Sequence, residues 1–303
     1  MPSPARPEHR SRGGDQTAGR PHGRAGDPAS AGVLSNPRSD RVRAVHALTR
    51  RAVREREQAF LAEGPQAVRE AVAFQPDVVR EVYLTPAAAQ RHPGIVDDAR
   101  AAGLRVQTVT DEVLTAMGDT QAPQGMLAVC RRLDVTLDAV LAGDPRLVCV
   151  LTHVRDPGNA GTVLRGADAV GADAVVVSEA SVDVYNPKVV RSTVGSLFHL
   201  PVVVGVPVEE VLGRLRGHGI RLLAADGHGD QLLTAPAVER RLAAPHAWVM
   251  GNEAWGMPEE TRALCDDVVR VPIHGHAESL NLAMAATVCL YASARALHDD
   301  APH

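Results

Sequence analysis

Three segments of the chain place small, polar and charged residues directly behind stretches apolar enough to be buried strands. Ligands of open α/β sheets bind at such carboxyl ends. The first segment, DPGNAGTVLRGADAVGA, follows RLVCVLTHV; Pro157 and Gly158 make a turn, and Gly161 lets a second backbone come close. Asn159 has two readings, a helix cap or a functional carboxamide. Arg165 sits in an otherwise apolar helix beside Val163, Leu164 and Ala167. It is either a snorkelling surface arginine or a residue kept for chemistry. The second segment is VMGNEAWGMPEE, where Gly251 follows a strand and Glu253 lies in a Gly-rich loop opening a helix near Pro258. Carboxylates at such a start also simply suit the helix dipole. The third is VPIHGHAESLNLAMAA, in which Ser279 and Asn281 precede a long helix and either could be its cap. His274 and His276 have no third ligand in view, so no metal is expected.

The elements around these segments alternate. Apolar residues recur at helical spacing in a basic stretch running into AFLAEGPQAVREAVAF; VVREVYLT follows as a strand and PAAAQRHPGIVDDARAAG as a helix. RVQTVT reads as a strand, DEVLTAMGDT as a short helix and MLAVC as a last strand. This predicts an α/β domain over residues 41–132, after a disordered Pro-, Gly-, Ser- and Arg-rich tail at 1–40. Residues 133–145 read as a linker, and a second α/β domain fills 146–303. Its strands are continuous apolar runs of the parallel-sheet kind. The final helix, LNLAMAATVCLYASARAL, is apolar on most faces and calls for the core, a subunit interface, or both.

Composition narrows the function. A nicotinamide site would want GxGxxG behind the first strand of its unit, and the turn here reads DPGNAGTVLRG; no GxxxxGK[ST] occurs. Four cysteines without a CxxC pair suggest buried thiols in a reducing compartment. No signal peptide or membrane span is expected, which points to the cytoplasm. The net charge of −4 argues mildly against nucleic acid, but six arginines (41, 43, 50, 51, 54 and 56) face two glutamates between Arg41 and Glu57. That stretch is a solvated face or an RNA-contacting surface. With 3% aromatic residues, the multi-ring platform of single-strand RNA binders is not expected.

Taken together and in order, NAGTVLRGADAVGAD, MGNEAWG and VPIHGHAESLNLAMAA resemble motifs 1, 2 and 3 of the SpoU (TrmH) branch of the SPOUT RNA methyltransferases. The resemblance covers about residues 146–298. The preceding domain, with FLAEGPQAVREA and DTQAPQGMLAVC, more loosely resembles the L30e-like substrate-binding domain of members that methylate 23S ribosomal RNA. One departure stands out: Ala254 and then Trp255 follow the motif 2 glutamate, where the family usually has glycine. Alanine disfavours a positive φ by about 1–2 kcal/mol, so either the loop is shaped differently or no left-handed residue is needed there.

The resemblance implies an α/β fold with an L30e-like N-terminal domain and a trefoil-knot SPOUT domain. It implies S-adenosylmethionine as methyl donor, a structured RNA as substrate, and an active site completed across a homodimer. Gly251, Val271, Ile273, Leu280 and Asn281 would hold the donor, largely through backbone groups. Arg165 would contact the ribose 2′-hydroxyl, with Asn159, Glu253, Ser279 and Asn281 orienting it, the RNA and the loops. Arg41, Arg43, Arg50, Arg51 and Arg54, together with Arg165, are the RNA-binding candidates. The alternatives are a tRNA methyltransferase and a non-catalytic RNA-binding or ribosome-assembly protein on the same scaffold.

Overall fold

Residues 32–252 and 254–298 are described in a computed structural model of the chain. Most of the expected tail, residues 1–31, lies outside them. Residues 32–40 depart from that expectation. Leu34 bridges Val109, donating its N–H to the Thr108 carbonyl at 3.0 Å and accepting from Thr110 at 3.1 Å. A sheet edge offers unpaired backbone groups, and these nine residues use them.

The first half begins with two short helices, α1 (Asp40–Ala47) and α2 (Arg51–Glu57), and continues with β1 (Ala59–Glu63). There follow α3 (Pro65–Phe74), β2 (Val79–Leu84), α4 (Pro86–Arg91), α5 (Pro93–Ala101), β3 (Val106–Thr108), α6 (Asp111–Met117) and β4 (Met126–Arg131). The strands form one sheet in the order β1-β4-β2-β3, with β4 antiparallel to both its neighbours. AFLAE is a fully buried strand rather than a helical lead-in. Gly64, at φ +94°, turns the chain there, and Pro65 starts the helix behind it. The single helix expected over 86–103 is two, because Pro93 lacks the N–H to continue α4 and restricts His92 before it.

Residues 133–145 are held in place rather than forming a loose connection. Leu133 donates its N–H to the Tyr185 hydroxyl at 3.0 Å, and Val135 donates to the Val202 carbonyl at 2.9 Å. Helix α7 (Leu137–Leu141) buries Leu137, Val140 and Leu141.

The second half runs β5 (Leu147–Leu151), α8 (Pro157–Ala169), β6 (Ala174–Val177), α9 (Pro187–Thr193), β7 (Val202–Val204), α10 (Val208–Gly217) and β8 (Arg221–Ala225). It closes with β9 (Gln231–Leu232), α11 (Pro236–Leu242), β10 (His246–Met250), α12 (Glu259–Ala263), β11 (Asp267–Arg270) and α13 (Leu282–His298). Its sheet, in the order β7-β6-β5-β10-β8-β11-β9, is parallel at every pairing. Every strand therefore ends on the same edge, and the adjacent β5 and β10 deliver their loops side by side. Helix α9 crosses α8 at Gly161, where a β-carbon would stand 2.6 Å from the Val189 carbonyl oxygen. That is the close backbone approach the glycine suggests.

The two sheets share one apolar cluster. Phe60 on β1 lies 4.8 Å from the Tyr185 ring and 6.0 Å from Phe198, all three buried. Arg54 fastens the same junction. It is 3% exposed, and it donates to the Leu48 and Thr49 carbonyls at 2.9 and 2.6 Å and from Nε to Asp183 at 3.0 Å. Helix α13 buries Ala283, Ala286, Cys289 and Leu290 but leaves Met284, Val288 and Tyr291 exposed on its other side. Burial pushes the thiols of Cys130 and Cys149 up to about 12, which leaves them unreactive.

A polar knot sits where α13 meets the sheet. Ser293 Oγ lies 2.7 Å from His246 Nε2 and accepts from Trp248 Nε1 at 2.8 Å. His246 Nδ1 lies 2.8 Å from the Ala244 carbonyl, which requires a proton on that nitrogen. Burial, the largest cause, lowers the His246 pKa below its ordinary 6.5, although the Ala244 carbonyl pulls the other way. The unfolded chain then binds this proton more readily than the native one, so its contribution is complete above about pH 6.5 and declines as pH falls below it. Thermal unfolding followed from pH 7.5 to 5 should show that decline, by at most about 1.4 kcal/mol per pH unit for one proton. His246→Gln should flatten it, and an unchanged slope would assign the acid sensitivity elsewhere.

Candidate active site

Three loops meet at the carboxyl edge of the parallel sheet. The first leaves β5 through Thr152 and His153 and enters α8. The cap of α8 is Asp156, whose carboxylate accepts from the Asn159 N–H at 2.7 Å. Asn159 is therefore not the cap, as one reading of the sequence had it. The Asp-Pro pair carried the signal, because proline at the first helical position follows a capping residue. The Asn159 carboxamide instead reaches the third loop, its Oδ1 accepting from Asn281 Nδ2 at 3.0 Å.

Asn281 does two things at once. Its Oδ1 accepts from the N–H groups of Ala283 and Met284 at 2.9 and 3.4 Å, capping α13, while its Nδ2 holds Asn159. One side chain thus fixes the starts of α8 and α13 against each other. Arg165 is exposed on α8, in the third turn of a helix that starts at Pro157. No carboxylate among the described residues pairs with it.

The second loop folds back on itself. A β-carbon on Gly251 would stand 2.7 Å from the Gly256 carbonyl carbon and 2.8 Å from Met257 N, so only glycine fits. Asn252, 8% exposed, exchanges backbone hydrogen bonds with Gly256 at 2.7 and 3.0 Å. Its Oδ1 accepts from Ala254 N–H at 2.8 Å, and its Nδ2 donates to the His153 carbonyl at 2.8 Å. Asn252 was missed among the sequence candidates, yet it ties the second loop to the first. Its only sequence signal was an Asx-type turn. Gly256 is left-handed, at φ +74°. Glu253 lies outside the described residues.

The third loop runs from Val271 to Leu280. Val271 and Leu280 are half-buried, Ile273 is 38% exposed, and Ser279 is exposed. Among the described residues, no backbone N–H from Val271 to Leu280 donates to another backbone group.

The basic stretch separates into two classes. Arg54 is buried in the junction described above, and Arg41 is consumed by Glu81 and the Tyr83 hydroxyl. Both guanidinium groups are thus engaged within the protein, Arg54 buried and Arg41 half-buried. Arg43, beside Asp40, Arg50, and Arg51, 2.8 Å from Glu55, are exposed.

Residues 146–291 match the SpoU rRNA Methylase family, and residues 39–128 match the MRM3-like substrate binding domain. The 23S rRNA (guanosine(2553)-2′-O)-methyltransferase RlmP of Bacillus subtilis is 33% identical over 233 residues, covering 77% of this chain and 87% of that protein. The chain belongs to the SpoU rRNA methylase family. A 23S rRNA (uridine(2479)-2′-O)-methyltransferase of Streptomyces viridochromogenes is 36% identical over 190 residues, 61% of this chain and 65% of that one. The solved SpoU methyltransferase AviRb from that organism, in complex with AdoMet, superposes with a TM-score of 0.72 at 29% identity, over 85% of this chain and 98% of its own. The AdoMet-bound rRNA methyltransferase of Sinorhizobium meliloti gives 0.73 at 25% identity, over 88% and 98%.

The SpoU half accordingly has the SPOUT trefoil-knot fold, and its cofactor is S-adenosylmethionine. The residues present fit that group. Unpaired peptide N–H groups beside aliphatic Val271, Ile273 and Leu280 suit a neutral heterocycle held by main-chain hydrogen bonds.

The double use of Asn281 is separable. Asn281→Asp keeps the oxygen that caps α13 but loses the donor to Asn159. Its melting temperature should stay within about two degrees of the wild type, while S-adenosylmethionine affinity, read by calorimetry, falls several-fold. Asn281→Ala should lose the cap as well, at about 1 kcal/mol. Wild-type affinity in the Asp variant would show that the tie between the loops is idle.

Proposed function

We propose that this SpoU-family chain transfers the methyl group of S-adenosylmethionine to a ribose 2′-hydroxyl of 23S ribosomal RNA. The observation that carries this reading is the convergence of the three loops, tied by Asn159 and Asn281, beside the exposed Arg165. The relatives sharpen it. One is named for a guanosine and the other for a uridine, both at the 2′-oxygen. What they have in common is the ribose, which every nucleotide carries.

Bound there, S-adenosylmethionine supplies an electrophilic methyl. The protein's task is then alignment, which is worth up to about 7–11 kcal/mol of barrier. We assign Arg165 to the 2′-oxygen and the neighbouring phosphate. A guanidinium keeps its proton in proteins and donates, so it stabilises negative charge developing on that oxygen. Asn159, Ser279 and Glu253 are assigned to orienting the RNA and the loops. Gly251, Val271, Ile273, Leu280 and Asn281 are assigned to the donor.

The proposal includes a homodimer acting in the cytoplasm. Met284, Val288 and Tyr291 stand at i, i+4 and i+7 on α13, one exposed apolar stripe on a helix whose opposite face is core. A second copy covering that stripe accounts for it. No helix among the described residues is long and apolar enough to cross a membrane. Arg43, Arg50 and Arg51 remain as candidates for phosphate contacts.

Methyl transfer from labelled S-adenosylmethionine to separated tRNA, 16S and 23S RNA should mark the 23S species alone. Blocked alkaline cleavage would then name the nucleotide. Label confined to tRNA would overturn the assignment. Arg165→Ala should keep its melting temperature and bind the donor within two-fold of wild type, yet transfer methyl about 10²–10³-fold more slowly. Full turnover in that variant would remove Arg165 from the mechanism.

A further inference from the structure

The chain has two tryptophans and treats them in opposite ways. Trp248 on β10 is fully buried, with its indole N–H on Ser293. Trp255, in the second loop, is 55% exposed. Leaving so large an apolar ring in water is costly unless something covers it.

Trp255 is nevertheless held in place. Its N–H and that of Ala254 both run to Asn252 Oδ1, at 3.4 and 2.8 Å, and Gly256 returns the chain to Asn252. His153 lies against the indole, with centroids 5.5 Å apart and planes 62° from parallel. His153 is itself in the left-handed region, at φ +57°, a conformation costly for a residue with a β-carbon. Its Nδ1 is buried and makes no hydrogen bond, so packing, not polar contact, places the ring. A strained histidine thus supports an exposed indole, three residues before the Asp156 that caps α8.

We infer that Trp255, backed by His153, is a stacking platform for the base of the nucleotide whose ribose is methylated. This inference rests on the proposed function and deepens it. A ribose in structured RNA is reached by turning its nucleotide out of the stack, which leaves a bare base face. Every base has a π-face, so one ring grips purine and pyrimidine alike. Arg165 then holds the ribose and phosphate of the same nucleotide. A low aromatic content excludes a multi-ring platform, but a single turned-out base needs only one ring.

The full-length protein is titrated with an unmodified 23S RNA transcript while indole fluorescence is followed. Trp255→Phe, which leaves only buried Trp248, supplies the baseline. RNA should quench the wild type and leave the Phe variant unchanged. Trp255→Ala should raise the KM for RNA ten- to a hundred-fold, with S-adenosylmethionine affinity within two-fold of wild type, and Phe should restore most of the loss. Absence of quenching, a wild-type KM in the Ala variant, or an equal loss of donor affinity would each overturn the platform. Wild-type protein that transfers no methyl to this transcript would reject the proposed function, whereas quenching that persists in Trp255→Phe would reject the platform.

Discussion

Everything at the candidate site follows from a sheet that is parallel at every pairing. Parallel strands must be joined by crossovers, so their carboxyl ends open on one edge and their loops cannot be dispersed. β5 and β10 are neighbours in space although some hundred residues separate them in the chain. That adjacency lets the Asn252 amide reach the His153 carbonyl, while the packing of α13 on α8 brings the loop behind β11 back far enough for Asn281 to hold Asn159. The carboxamides choose the register of the loops, but the sheet decides that they meet.

Asn159, Asn252 and Asn281 share a property that suits this place. A carboxamide donates and accepts at once, so each can satisfy its own loop and still reach another. A carboxylate or an ammonium in the same position would bring a charge to a surface that must accept a neutral heterocycle. Among the described residues, Arg165 is exposed on α8, and Asp156 stands at the helix start, where its carboxylate meets the Asn159 N–H.

Much of this was legible in the residues. The buried strands β5, β6 and β10 read as apolar runs, α8 and α13 as helices behind them, and the glycine at 161 as a close crossing. The failures have physical causes. AFLAE looked helical because its small and apolar residues suit either period when every face is buried. Nothing local marks the two-residue β9, which exists through its neighbours, whereas α9 carried an unused start signal in Asn186 before Pro187. Charge counting did not separate Arg41 and Arg54 from the exposed arginines, because a sequence does not say that Glu81 and Asp183 will fold up against them. Asn252 could be seen as a turn former, but its second bond, to a loop about a hundred residues away, could not.

The junction at Phe60, Tyr185 and Phe198 has a consequence of its own. One half cannot swivel on the other without opening a dry aromatic contact and pulling Asp183 from buried Arg54. The molecule is therefore a caliper whose jaws are set at a fixed gauge. An RNA that touches both halves is sorted by the spacing between its two points of contact, whatever the bases are. An extra pair inserted between those points would put the right nucleotide out of reach.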